Sequence, residues 1–212
     1  MLLFDRYLPD GATDGLPILV LLHGRGSHRG DLQALRPGLP AGWGLVTPQG
    51  PHPGHPWGYG PGWAWYRYVA DDRVDEVSLR QGLDALGEFM DALPSLLGVE
   101  PGRVVMGGFS QGGTAALAWA LRNPTRAEST LNFSGFLIDS PLVPAEAAAG
   151  GRPRIFWGHG RRDPNIPFAL AEKGRLRLRE AGATLVIGDY EIGHWIAPEE
   201  LEDAMTFLAS GR

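Results

Sequence analysis

The sequence predicts an α/β protein, a mostly parallel central sheet flanked by helices. Three observations predict it. Short apolar runs rich in branched residues, led by residues 16–22, alternate with longer segments whose apolar residues recur every three or four positions. A run with no polar alternation reads as a strand buried on both faces, which is the condition of a parallel sheet covered by helices. Glycine or proline closes the first runs, at His23-Gly24 and at Pro48.

Taken in chain order, strands are expected at residues 16–22, 43–47, 103–106, 130–133, 154–157 and 184–190. Between them, Val77, Leu79, Leu83, Leu86, Met90, Leu93 and Leu97 define an amphipathic helix over residues 75–97. Pro94 is expected to kink or end it early, because proline lacks the N–H that a helix interior needs. Residues 111–122 form a second helix rich in alanine. Residues 167–181 form a third, with Pro167 suited to its first turn and Gly182 to its stop. Residues 198–208 form a fourth, with Glu199 and Glu200 near its positive end. The segment 48–68 remains, dense in Gly, Pro, Trp and Tyr, and a loop of that length is either functional or unstructured. Its aromatic content favours an ordered loop.

The chain has 212 residues, 43% apolar and 20% charged, which suits one domain over residues 1–212 with a substantial core. It has no cysteine, so thiolate nucleophiles, zinc–thiolate sites and disulfides are excluded. The net charge is −5 and no basic run exceeds Arg161-Arg162, so the electrostatic footprint of nucleic-acid binding is absent. The first residues do not read as a leader, and the longest apolar run, residues 18–22, is far too short to span a bilayer. A soluble, cytoplasmic chain without stable membrane insertion is the expectation.

The sharpest chemical signal is Gly108-Phe109-Ser110-Gln111-Gly112, a G-x-S-x-G motif between an expected strand and an expected helix. A tight turn there projects the serine hydroxyl above the sheet. Flanking glycines let strand and helix backbones approach closely. A serine hydroxyl needs a base to take its proton. In this strand–turn–helix context the chain order is nucleophile, acid, histidine, and only His159 and His194 follow Ser110. His159 precedes the acid candidates, so His194, after the last strand in Glu191-Ile-Gly-His194, is favoured. The acid is expected in the loop after residues 154–157, at Asp163; Asp189 and Glu191 are alternatives that strand alternation would point outward. Two backbone N–H donors are needed for the developing oxyanion. Gln111 supplies one, and Arg25, in the loop His23-Gly-Arg-Gly-Ser27, is the candidate for the other. His23 reads as a hydrogen-bonded loop anchor.

The set Leu21-Leu-His-Gly-Arg-Gly26, Gly107-Gly-Phe-Ser-Gln-Gly-Gly113, Gly158-His-Gly-Arg-Arg-Asp-Pro164 and Tyr190-Glu-Ile-Gly-His194 resembles the phospholipase/carboxylesterase family, which includes the acyl-protein thioesterases. The resemblance runs from about residue 17 to residue 208. It implies an α/β-hydrolase without a large cap domain, with Ser110, Asp163 and His194 as triad and the Arg25 and Gln111 N–H groups as oxyanion hole. It implies hydrolysis of carboxylic esters or thioesters, with no cofactor and no metal. Members of the family often carry an apolar residue where this chain has Arg25.

Trp63-Ala-Trp65-Tyr66 looks like the family's aromatic segment beside the site; its rings either bind substrate or pin the loop. Leu137, Ile166 and Trp195 are further candidates for an acyl pocket, with core packing as the alternative for each. Residues 49–61 could form a short lid, and exposed tryptophans a homodimer contact. The favoured reading is an esterase for small to medium acyl groups. A lysophospholipase or thioesterase for long chains is the rival, and a non-catalytic binding module on the same fold is the third.

Overall fold

The computed structural model describes residues 1–210. In chain order its elements are β1 (Phe4–Tyr7), β2 (Pro17–Leu22), β3 (Gly44–Pro48), β4 (His52–Pro53), β5 (Trp63–Ala64), β6 (Tyr68–Ala70), β7 (Arg73–Val74), α1 (Glu76–Leu97), β8 (Arg103–Phe109), α2 (Gln111–Arg122), β9 (Ser129–Phe133), β10 (Arg154–Gly160), α3 (Phe168–Glu180), β11 (Leu185–Tyr190) and α4 (Pro198–Ala209). Short 3₁₀ turns lie at Asp31–Gly38, His55–Trp57 and Ala145–Gly150.

Seven strands make one sheet in the order β1-β3-β2-β8-β9-β10-β11. Every pair is parallel except β1 with β3. The chain steps from β2 outward to β3, then returns to place β8 on the other side of β2. That reversal opens a crevice at the carboxyl ends of β2 and β8, where ligands bind in open α/β sheets.

Residue alternation assigns the two faces. From β2, Ile18, Val20 and Leu22 point into the core shared with α1, α2 and α3. Leu19 and Leu21 point the other way, against Ala204, Met205, Phe207 and Leu208 of α4. β10 repeats the pattern, with Ile155 and Trp157 on the first face and Phe156 on the second. Helices thus cover both faces, and this is why the strands read as unbroken apolar runs.

Helix α1 starts where Asp75 accepts the Ser78 N–H at 2.8 Å, and it stops at Gly98, whose φ of 75° suits glycine. Pro94 does not end it. The proline sits in the last turn, and its carbonyl still accepts the Gly98 N–H at 2.8 Å. Val77 is exposed, because it stands two residues before Leu79 and so falls off the buried stripe. Phe89, absent from the expected stripe, is fully buried and packs on Phe4 of β1. No helix among the described residues is long and apolar enough to cross a membrane.

Candidate active site

Strand β8 runs into α2 through Ser110, whose φ of 55° and ψ of −119° are strained for a residue with a side chain. The surroundings hold that turn. The Ser110 N–H donates to the Phe133 carbonyl at 2.8 Å, and the Ser110 carbonyl accepts the Thr114 N–H at 3.0 Å. The flanking glycines are required by contact rather than by dihedral angle. A Cβ on Gly112 would lie 2.0 Å from the Leu22 carbonyl oxygen, and one on Gly108 would lie 2.5 Å from the Gly112 carbonyl carbon. Without side chains at these two positions, α2 can start directly against β2.

The three residues anticipated from chain order meet above the sheet. His194 Nε2 lies 2.9 Å from Ser110 Oγ, and His194 Nδ1 lies 2.6 Å from Asp163 Oδ2. The other carboxylate oxygen, Oδ1, accepts the N–H groups of Asn165 at 2.8 Å and Ile166 at 2.9 Å. Burial alone would raise the Asp163 carboxyl. The bonds from His194, Ile166 and Asn165 outweigh it and hold the group below its ordinary value. An ionised Asp163 fixes the histidine proton on Nδ1, which leaves Nε2 free to accept from the serine. The ring also packs against Phe109 in a tilted arrangement, centroid to centroid at 4.7 Å.

The loops carrying Asp163 and His194 brace each other. Arg161 N–H donates to the Tyr190 carbonyl at 2.8 Å and Arg162 N–H to the Ile192 carbonyl at 3.0 Å. The Asp189 and Glu191 carboxylates are engaged elsewhere, Asp189 with Arg161 and Arg175 and Glu191 with Arg161 and Arg162. His159 is fully buried, bonded through Nε2 to the Ile166 carbonyl at 2.9 Å and 3.7 Å from Asp163. It backs the turn that wraps the acid and does not reach the serine.

On the other side, the Gln111 N–H is the first of α2 and has no helical carbonyl to bond. The Arg25 N–H has no backbone partner among the described residues. His23 is the anchor of its loop. Its Nδ1 bonds its neighbour's carbonyl, Gly24 O, at 2.8 Å and its Nε2 accepts the Gly50 N–H at 2.9 Å. Burial lowers its pKa to about 4, so it stays neutral. Gly26, at φ 75°, donates to the Trp63 carbonyl at 2.8 Å and leaves no room for a side chain against the Tyr59 carbonyl.

A cleft of about 570 Å³ opens over Ser110 and His194. Of the anticipated substrate residues, Ile166 lines it. Trp65 and Tyr66 do not, because both are fully buried beneath the loop. The Gln111 side chain clamps them there, accepting the Trp65 N–H and donating to the Tyr66 carbonyl, each at 2.9 Å. Trp65 Nε1 donates to the His23 carbonyl at 2.9 Å. Trp63 serves through its backbone in β5, where it bonds Gly26 and Ser27 of the loop after β2. Leu137 lines a separate hollow beside α3, and Trp195 is exposed with its ring over Gly193. The walls come instead from Arg25, Trp57, Tyr59, Tyr68 and Val69, with Phe109 beside the serine. The sequence marked the aromatic loop but not which of its rings turn toward the serine. Among the described residues no cluster of three His, Asp or Glu could hold a metal ion.

Sheet order, the strained turn at Ser110 and the aligned side chains are those of an α/β-hydrolase. A solved esterase, PE8, superposes over 100% of this chain and 99% of its own with a TM-score of 0.80 and 25% identity. The Bacillus cereus carboxylesterase superposes over 99% of this chain and 95% of its own with a TM-score of 0.83; at 20% identity it speaks for the fold. The phospholipase/carboxylesterase family model matches residues 11–211, and the chain belongs to that family. Acyl-protein thioesterase 1 of Saccharomyces cerevisiae is 31% identical over 118 residues, 52% of this chain. The match spans about half, 51%, of that yeast protein's length. Acyl-protein thioesterase 1 of Neurospora crassa is 29% identical over 187 residues, 81% of this chain and 69% of its own.

Proposed function

We propose that the protein is a serine carboxylesterase that hydrolyses esters of small to medium acyl groups through an acyl-enzyme. The observation that carries this reading is the unbroken line of hydrogen bonds from Ser110 Oγ through His194 to Asp163. Ser110 attacks the ester carbonyl while His194 Nε2 takes its proton. The Gln111 and Arg25 N–H groups stabilise the oxyanion. His194 then protonates the leaving alcohol, and Asp163 stabilises the imidazolium between the two steps. Water, deprotonated by the same histidine, releases the acid.

The cleft wall favours short acyl groups. Charged side chains of Arg25, Asp31, Arg67 and Asp71 interrupt its apolar surface, so a long alkyl chain would meet ionised groups. The thioesterase names of the fungal relatives favour a second reading, an acyl-thioesterase that acts on long acyl chains.

Initial rates on nitrophenyl esters of increasing acyl length, with Ser110→Ala in parallel, test both. The variant should lose about 10⁴-fold or more in kcat. An optimum at short chains supports the esterase reading. A rate that keeps rising to long chains favours the relatives' chemistry, and near wild-type turnover by the variant overturns the mechanism.

A further inference from the structure

The cleft carries a cation that the ester chemistry does not require. Only the backbone N–H of Arg25 is needed to meet an oxyanion, yet its side chain also lines the cleft above Ser110. The guanidinium carbon lies 5.0 Å from the Tyr59 ring centre and 5.4 Å from that of Tyr68. Two aromatic faces therefore restrict a side chain that would otherwise be free in solvent. The rings are themselves fixed. The Tyr59 hydroxyl accepts the Tyr68 N–H at 2.7 Å, and the Tyr68 and Tyr66 hydroxyls are 3.3 Å apart.

Nothing among the described residues neutralises this charge by direct contact. Among the described residues Arg25 forms no ion pair, although nine other arginine–carboxylate contacts occur elsewhere. Burial raises the Tyr68 hydroxyl to about 12, so the neighbouring ring is not a phenolate at neutral pH. Asp31 and Asp71 also line the cleft, and Asp31 accepts the Ser27 hydroxyl at 2.7 Å. Arg67 lines it too, on the exposed side of the aromatic loop.

We propose that Arg25 is a specificity-determining residue that binds an anionic carboxylate on the substrate, so that the enzyme prefers esters bearing a second, ionised carboxyl group. This rests on the esterase reading above and names its substrate class. A guanidinium restricted by two aromatic rings presents its N–H edge with little further loss of rotamer freedom, and a carboxylate matches that edge in two parallel bonds. The preference also depends on salt, because the cleft is open to solvent.

The test compares kcat/KM for 4-nitrophenyl hemiglutarate with that for 4-nitrophenyl pentanoate, which differ by one charge on the acyl side. The butyrate ester of 4-hydroxybenzoate against that of phenol puts the charge on the leaving side. Wild type, Arg25→Leu, Arg25→Lys and Arg67→Leu are assayed, and glutarate binding to each is measured by calorimetry. We expect wild type to favour the anionic member of one pair by about tenfold. Arg25→Leu should abolish that ratio and glutarate binding, Arg25→Lys should keep part of both, and Arg67→Leu should keep most. Equal rates on both members of both pairs overturn the proposal while leaving the esterase reading intact. A preference that survives Arg25→Leu and falls in Arg67→Leu also overturns it. If Ser110→Ala hydrolyses as well as wild type, the esterase reading falls, and glutarate binding still decides whether Arg25 holds a carboxylate.

Discussion

The Gln111 side chain accepts the Trp65 N–H at 2.9 Å, which ties the residue after Ser110 to a loop 46 positions earlier in the chain. Its amide nitrogen donates to the next carbonyl, that of Tyr66, at 2.9 Å. Gln111 is fully buried. Its replacement by leucine would leave a backbone donor and a backbone acceptor without partners, at about 1–3 kcal/mol each. We expect Gln111→Leu to lower Tm and also kcat/KM, because the loop it clamps carries Tyr59 and Tyr68. Thermal melts and ester kinetics check this. An unchanged Tm would mean that water replaces both bonds and that the clamp is dispensable.

Two glycines on α1 should respond in opposite directions to alanine. A Cβ on Gly87 would have its nearest atom, Trp119 Nε1, at 4.0 Å, so Gly87→Ala should stabilise by about 0.5–1 kcal/mol through helix propensity alone. A Cβ on Gly82 would fall 2.2 Å from the Trp65 carbonyl oxygen, which must then move. Gly82→Ala should destabilise by several-fold more than Gly87→Ala stabilises, and should disturb the same aromatic loop. Equal shifts of one sign in paired melts would refute the packing argument.

Chemistry was more legible in the sequence than the pocket was. Ser110, Asp163 and His194 each follow a strand of the sheet, and the chain order leaves few choices. Those signals are local. The cleft wall depends on which way each ring of residues 48–68 turns, and that is decided by contacts with Gln111 and His23 far away in sequence. Trp65 is therefore a pin although it sits in the expected segment, and Tyr59 and Tyr68 are walls. Strand β1 carries no apolar signal for a related reason. It lies antiparallel at the sheet edge, and Phe4-Asp-Arg-Tyr7 carries two charges where no apolar run is needed. Segment 31–38 has too few apolar residues to signal its 3₁₀ turns, and of these only Leu32 is buried.

Asp163→Asn tests the tautomer argument. Its side-chain oxygen can still accept the Asn165 and Ile166 N–H groups, so the loop should keep its shape. Its NH₂ group would then face His194 Nδ1 and favour the ring proton on Nε2, where it blocks acceptance from Ser110. We expect kcat to fall by about 10⁴-fold with little change in KM. A loss of less than tenfold would show that another group orients the histidine.

Glu200 gives the fold a pH dependence of unusual sign. The residue is fully buried at the start of α4, against β10; Oε2 accepts the Ala197 N–H at 3.3 Å and Oε1 has no partner among the described residues. Burial pushes its carboxyl from 4.5 up to about 8, with the Ala197 bond and Arg175 opposing and Asp163 and Asp203 adding to the rise. Between these values the folded chain holds a proton that the unfolded chain has released, so stability falls as pH rises. The fall begins near the unfolded value, is complete above the folded one, and is on the order of a few kcal/mol. Glu200→Gln keeps an oxygen for the Ala197 N–H and cannot ionise. Denaturant melts from pH 4 to pH 9 should therefore show wild type losing stability relative to the variant as pH rises, with most of the divergence between about 4.5 and about 8. Parallel curves across that window would mean that Glu200 titrates alike in both states, with Arg175 close enough to hold it ionised in the fold.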